Sequence, residues 1–262
     1  KPVIPTDRGA RYLAVAKTVI REYGKLAQFS GSDKEVSGEL RLGIIPTIAP
    51  YLLPLFLTDF TQRYPKAKLI VEELKTESIL RALEEDRLDA AILSTPVGKT
   101  TLTQRPLYYE PFQLYVAENH ALSAKNNLKA SDLDGAELWM LQDGHCFRNQ
   151  VVQFCSIPTS GRRPGRVAFE AGSLETLRHL VKNSSGYTML PALAADYLSA
   201  EEKKKHVRQF QAPMPAREVS LMYRRDQWRA ALIDAVAESV ERSLPDHISV
   251  AKPKNFMLLE AC

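Results

Sequence analysis

At 262 residues, 45% hydrophobic and 25% charged, the chain can bury a sizeable core and reads as one large or two smaller globular units, neither disordered nor fibrous. The net charge of +4 resides in residues 1–30, where Lys1, Arg8, Arg11, Lys17, Arg21 and Lys25 face only Asp7 and Glu22. The balanced remainder argues against a broad nucleic-acid face on the main body. No apolar run is long enough to span a bilayer and the first residues lack the order of a signal peptide, so a cytoplasmic protein with no membrane partner is expected.

The first segment carries Tyr12, Ala16, Val19, Tyr23 and Leu26 at alternating steps of four and three, a short coiled-coil seam that can pair with a partner or pack on its own body. Ser30 to Gly38 reads as a linker. Strand and helix signals then alternate: a strand over 40–45, a helix over 46–64, a strand over 68–73, a helix over 77–86 and a strand over 89–93. A second series has strands at 113–117 and 137–141, a helix from about Cys146, a strand near Val167, a helix over 174–181 and a strand over 187–190. A strand over 218–223 and a helix over 227–240 return to complete the first unit. This alternation predicts an α/β fold of two Rossmann-like, doubly wound subdomains with a crevice between them.

The expected boundaries are a linker or dimerisation helix at 1–35, a first subdomain at 36–109 and 217–245, a second at 110–216, and a tail at 246–262. The tail shows no strong period and is expected to be loosely held, without assigned function.

Several site signals fail. Gly98-Lys99-Thr100 resembles the end of a phosphate-binding loop, but that loop needs glycine where Leu93 stands. There is no G-x-G-x-x-G, so no nucleotide cofactor is expected. The histidines are scattered and Cys146 with Cys155 lacks structural-zinc spacing, so no metal site is expected either. The G-x-S-x-G and H-E-x-x-H hydrolase signatures are missing.

The run GHCFRNQVVQFC, residues 144–155, is more informative. Cys146 opens the expected helix, where the helix dipole, His145 and Arg148 all favour its thiolate. Cys155, beside Phe154 and Ile157, has an apolar setting and a less acidic thiol. Nine helical residues separate the two Cα atoms by about 13.5 Å along the axis, whereas a disulfide needs them within about 7 Å. Helix and bridge cannot coexist. From the residues alone the pair is either a redox couple or two buried, inert hydrophobes. Thr47 follows a strand and Thr76 precedes a helix, which places both where strand ends open onto a crevice, although a threonine at a helix start equally serves as a cap.

The segment Asp143 to Gln150, with Phe154-Cys155, resembles the redox core of the OxyR family, bacterial peroxide-sensing regulators of the LysR type. Further likeness lies in Ile45-Pro46-Thr47, Pro50 to Pro54, Lys75-Thr76, Ser173 to Arg178, and Gly186 through Leu190-Pro191-Ala192. The opening Pro5-Thr6-Asp7-Arg8-Gly9 is similar to the end of a LysR wing leading into its linker helix. The resemblance implies a regulatory domain similar to a type II periplasmic binding protein, as a fragment whose winged helix-turn-helix would precede Lys1.

By the same resemblance, Cys146 is the peroxidatic cysteine and Cys155 its resolving partner, joined by a reversible disulfide. Thr47, Thr76 and His145 line the peroxide pocket, with Arg148 and Arg217 in support. Asn149 stands where the family has an aspartate. The implied partners are hydrogen peroxide, a second or further copies of the chain as homodimer or tetramer, promoter DNA and RNA polymerase for the whole protein, and a reducing system such as glutaredoxin or thioredoxin. Oxidation is stoichiometric, so no enzyme is expected. The rival readings are a LysR-type regulator binding a small organic effector in the crevice, a thiol peroxidase, and a solute receptor.

Overall fold

In a computed structural model the described residues are 3–29, 36–98, 101–133, 137–155 and 171–261. Helix α1 (Asp7–Phe29) comes first. The unit that follows contains β1 (Gly38–Ile44), α2 (Ala49–Arg63), β2 (Ala67–Glu73), α3 (Thr76–Glu84) and β3 (Ala90–Thr95). Strand β1 lies between β2 and β3 and is parallel to both, as crossover helices require. Helix α2 begins with Pro50 in its first turn, where a missing N–H costs nothing. It buries Leu52, Phe56 and Phe60 against the sheet residues Leu40, Leu42, Ile44 and Ile92.

Strand β4 (Thr103–Val116) is 14 residues long and spans both units. The second unit adds α4 (Cys146–Cys155), α5 (Leu174–Asn183), β5 (Tyr187–Pro191), α6 (Ala192–Asp196), α7 (Ala200–His206) and β6 (Val207–Arg208). Strand β7 (Met214–Tyr223) then runs back through both units, followed by α8 (Ala230–Ser243) and β8 (Phe256–Leu258). The strand order is β2-β1-β3-β7-β4-β5, with β6 on β4 and β8 on β7. Both β3 and β4 pair antiparallel with β7. The expected doubly wound pattern therefore holds for β1 to β3, and the two units are joined by a pair of long antiparallel strands that alternation alone does not reveal.

The boundaries expected at 109/110 and 216/217 fall inside β4 and β7, where Glu110 faces Arg217 across the ladder. A second link joins helices of the two units: Tyr51 of α2 donates to Glu175 of α5 at 3.0 Å, and Arg178 grips Glu175 and Glu202 at 2.7 Å each.

Three expectations need comment. The strand at 137–141 is reduced to single bridges, Leu138 to Tyr187 and Leu141 to Ala171, and side-chain bonds add to this sparse backbone pairing: Trp139 Nε1 donates to the carbonyl of Ser185 and Thr188 Oγ1 to that of Trp139, both at 2.8 Å. The strand near Val167 lies outside the described residues. The tail is not loose: Ile248, Leu259 and Ala261 are buried, and β8 pairs with Met214–Ala216 of β7. Three residues of strand are too few to register as a period in sequence.

Helix α1 meets the body where Gly24 lies against Trp228, so closely that a Cβ there would come within 2.9 Å of the indole. Along the rest of the seam Tyr12, Val19 and Tyr23 stay exposed.

Candidate functional site

The carboxyl ends of β1 and β2 define one wall. Their register pairs Ile44 with Glu73, so Thr47 and Thr76, each three residues further on, emerge from adjacent strand ends. The α3 N-cap position is Lys75, which makes no side-chain cap, and the Thr76 hydroxyl is not used for capping. Its Oγ1 lies 3.0 Å from Sγ of Cys146, placed to donate to the sulfur.

The opposite wall is the turn before α4. Gly144 has φ of +88°, a left-handed conformation that favours glycine, and it swings the chain so that Cys146 enters as the first helical residue. Lys75 braces this turn by donating to the carbonyl of Asp143 at 3.1 Å. Arg148 braces it from within, with Nη1 on the carbonyl of Leu141 and Nε on the carboxylate of Asp143, both at 2.8 Å. Arg148, expected in support of the site, thus holds the loop that leads into Cys146. His145 is 5% exposed and its Nε2 has no hydrogen-bond partner. Burial, with Lys75 nearby as a second cause, lowers its pKa below the ordinary 6.5, so at neutral pH the imidazole is uncharged. It offers an unsatisfied nitrogen rather than a positive charge.

Arg217 supplies the buried cation. Its Nη1 donates to Thr47 Oγ1 and its Nη2 to the Thr47 carbonyl, each at 3.1 Å, while Nε reaches Glu110 at 2.8 Å. The other carboxylate oxygen of Glu110 accepts from the backbone N–H of Leu193 at 2.8 Å. Sequence reasoning missed Glu110 and gave Lys75 no role. Nothing local marks Glu110, whose partner is 107 residues away. Lys75 adjoins Thr76 in the family-like pair and could have been found there.

The two cysteines stand at opposite ends of α4. Cys146 is buried and disulfide-bonded, and Cys155 is a free thiol. Burial pushes the Cys155 pKa up to about 12, in line with its expected apolar setting. The structure thus brings Cys146 to Thr76 and Thr47 to Arg217, sets the unsatisfied His145 beside Cys146 in the chain, and keeps Cys155 apart. Such a site can activate a sulfur atom against a very small polar molecule. Thr47, Thr76, His145, Cys146 and Arg217 are each no more than 5% exposed. No group of three or more His, Cys, Asp or Glu able to hold a metal ion occurs among the described residues. None of the described helices is long and apolar enough to cross a membrane.

Residues 33–245 match the LysR substrate binding domain. A hydrogen peroxide-inducible genes activator of Haemophilus influenzae is 35% identical over 225 residues, 86% of this chain and 73% of that protein. The DNA-binding transcriptional dual regulator OxyR of Escherichia coli K12 is 33% identical, over 94% of this chain and 80% of its own length. The crystal structure of OxyR from Porphyromonas gingivalis superposes with a TM-score of 0.77 at 31% identity, covering 86% of this chain and all of that one. The fold is thereby that of a type II periplasmic binding protein, and the chain belongs to the LysR substrate binding domain family, among the OxyR proteins.

Proposed function

We propose that the chain is the peroxide-sensing regulatory domain of a transcription regulator. Hydrogen peroxide oxidises Cys146 to a sulfenic acid: an S–O bond forms, the O–O bond breaks, and the departing hydroxide leaves as water after taking a proton. Cys155 then condenses with the sulfenic acid, expelling a second water. Because about 13.5 Å of helix separates the two residues, this bond requires α4 to unwind, and the rebuilt segment alters subunit packing and DNA affinity. Glutaredoxin or thioredoxin resets the pair. The observation that carries this reading is the contact of the Thr76 hydroxyl with Sγ of a buried Cys146 at the start of α4. The exposed seam of α1 supports a homodimer, and the whole protein would act on promoter DNA and RNA polymerase in the cytoplasm.

The test is to add near-stoichiometric hydrogen peroxide to the reduced chain and count free thiols against time, beside Cys146→Ser. One peroxide consumed per two thiols lost, and no fast phase in Cys146→Ser, are expected. A fast phase that survives in Cys146→Ser overturns the assignment of the attacking sulfur. Many peroxides consumed per chain with reductant present favours a thiol peroxidase.

A further inference from the structure

Residues 256–261 are held on one side by β7 and on the other by α4. We infer that they form a latch: they keep α4 intact, and formation of the Cys146–Cys155 bond releases them.

The latch begins as a strand. β8 pairs with Met214–Ala216 of β7, and the N–H of Leu259 continues the pairing by donating to the carbonyl of Ala216 at 2.9 Å. Beyond it the chain crosses α4. The N–H of Glu260 donates to Gln153 Oε1 at 3.0 Å. Gln150 Nε2 donates to the carbonyl of Leu259 at 3.1 Å, and Asn149 Nδ2 to that of Ala261 at 3.4 Å. Helical positions advance about 100° per residue, so 149, 153 and 150 fall within an arc of about 100°. One face of the helix therefore grips three successive residues. The joint closes on the end of β3, where Gln150 Nε2 also reaches Ser94 Oγ at 3.0 Å and the N–H of Ala261 donates to the carbonyl of Pro96 at 3.3 Å. Gln150, Leu259 and Ala261 are buried.

All three gripping side chains lie between Cys146 and Cys155, in the stretch that the proposed disulfide must rebuild, and the inference rests on that reading. Once α4 unwinds, residues 149, 150 and 153 no longer share a face. The carbonyls of Leu259 and Ala261 lose their donors, and because both residues are buried they find water only when the segment lifts away. The coupling is reciprocal: whatever loosens residues 256–261 makes the disulfide easier to form by the same factor. Met214–Ala216, to which β8 is bound, immediately precede Arg217 on β7. Release thus reaches the strand whose guanidinium holds Thr47.

The experiment uses the Cys262→Ser chain, whose two thiols are Cys146 and Cys155, and Gln153→Met within it. Gln153 is exposed, and methionine removes the acceptor for Glu260 at little cost in helix propensity. Both chains are equilibrated in buffers of reduced and oxidised glutathione, which exchange two hydrogens with the couple, and the Cys146–Cys155 bond is counted by peptide mapping. Amide exchange over 259–261 is followed in the fully reduced and fully oxidised chains. Gln153→Met should raise the ratio of disulfide to dithiol roughly threefold, the worth of one weak hydrogen bond. Oxidation should strip protection from all three amides. An unchanged ratio overturns the inference, as does full formation of the disulfide with the Leu259 and Ala261 amides still protected. If oxidised glutathione forms the bond and releases the segment while hydrogen peroxide leaves Cys146 reduced, the peroxide reading fails and the latch stands. If no Cys146–Cys155 bond forms with either oxidant, both fail.

Discussion

Glu110 and Arg217 face each other across β4 and β7 as a fully buried ion pair, with Nη2 of Arg217 2.7 Å from Oε2 of Glu110. The pair lies where β4 and β7 run from one unit into the other, and the same guanidinium holds both the hydroxyl and the carbonyl of Thr47. Removing one member leaves a buried charge without its partner, which costs about 3–5 kcal/mol. Urea unfolding of Arg217→Ala and of Glu110→Gln should each show a loss of that order. A loss under about 1 kcal/mol in both would mean that the pair is not the junction described.

The two pocket threonines should separate in their effects. Thr76→Val removes the hydroxyl at Cys146 while leaving α3 uncapped as before. Cys146 oxidation by peroxide is expected to slow at least about tenfold, the equivalent of a 1.4 kcal/mol interaction, with stability nearly unchanged. Thr47→Val instead deprives a buried Arg217 N–H of its acceptor, which costs about 1–3 kcal/mol of stability, in addition to any effect on rate. Stopped-flow oxidation and chemical denaturation of both variants check this. Equal stability losses would contradict the assignment.

His145 makes stability depend on pH. Its pKa in the folded chain is depressed by burial and by Lys75 below the ordinary 6.5, so between the two values the unfolded chain binds more protons and stability rises with pH. The contribution is fully present above about pH 6.5 and is lost as pH falls toward the folded value. The urea midpoint of the parent should therefore fall more between pH 7.5 and pH 5.5 than that of His145→Gln. A midpoint that rises on acidification in the parent alone would reverse the sign and contradict the burial argument.

The parts of the fold legible in the sequence were those set by short-range pattern. The alternation from residue 40 to 93 gave β1 to β3 and their helices. The strand-to-helix edges placed Thr47 and Thr76 correctly, and the glycine turn before a run of helical residues placed Cys146 at the start of α4. What stayed hidden depends on distant register. Glu110 is an ordinary residue of a strand until β7 brings Arg217 opposite it. The direction of β4 and β7 is invisible because antiparallel and parallel strands share one periodicity. The grip of Asn149, Gln150 and Gln153 on residues 259–261 joins side chains of α4 to backbone about 110 residues away, where no local signal exists. The two acceptors that Arg148 holds in the preceding loop, Leu141 and Asp143, are likewise not marked by its sequence position beside Cys146.

The central claim is that a bond between Cys146 and Cys155 requires α4 to come apart. Hydrogen–deuterium exchange of the amides over 150–155 tests it most directly, comparing the reduced Cys262→Ser chain with the same chain carrying the Cys146–Cys155 disulfide. Protection is predicted to drop markedly across this stretch on oxidation, while β1, β3 and α2 keep theirs. A disulfide formed in full with unchanged exchange in α4 would contradict the account.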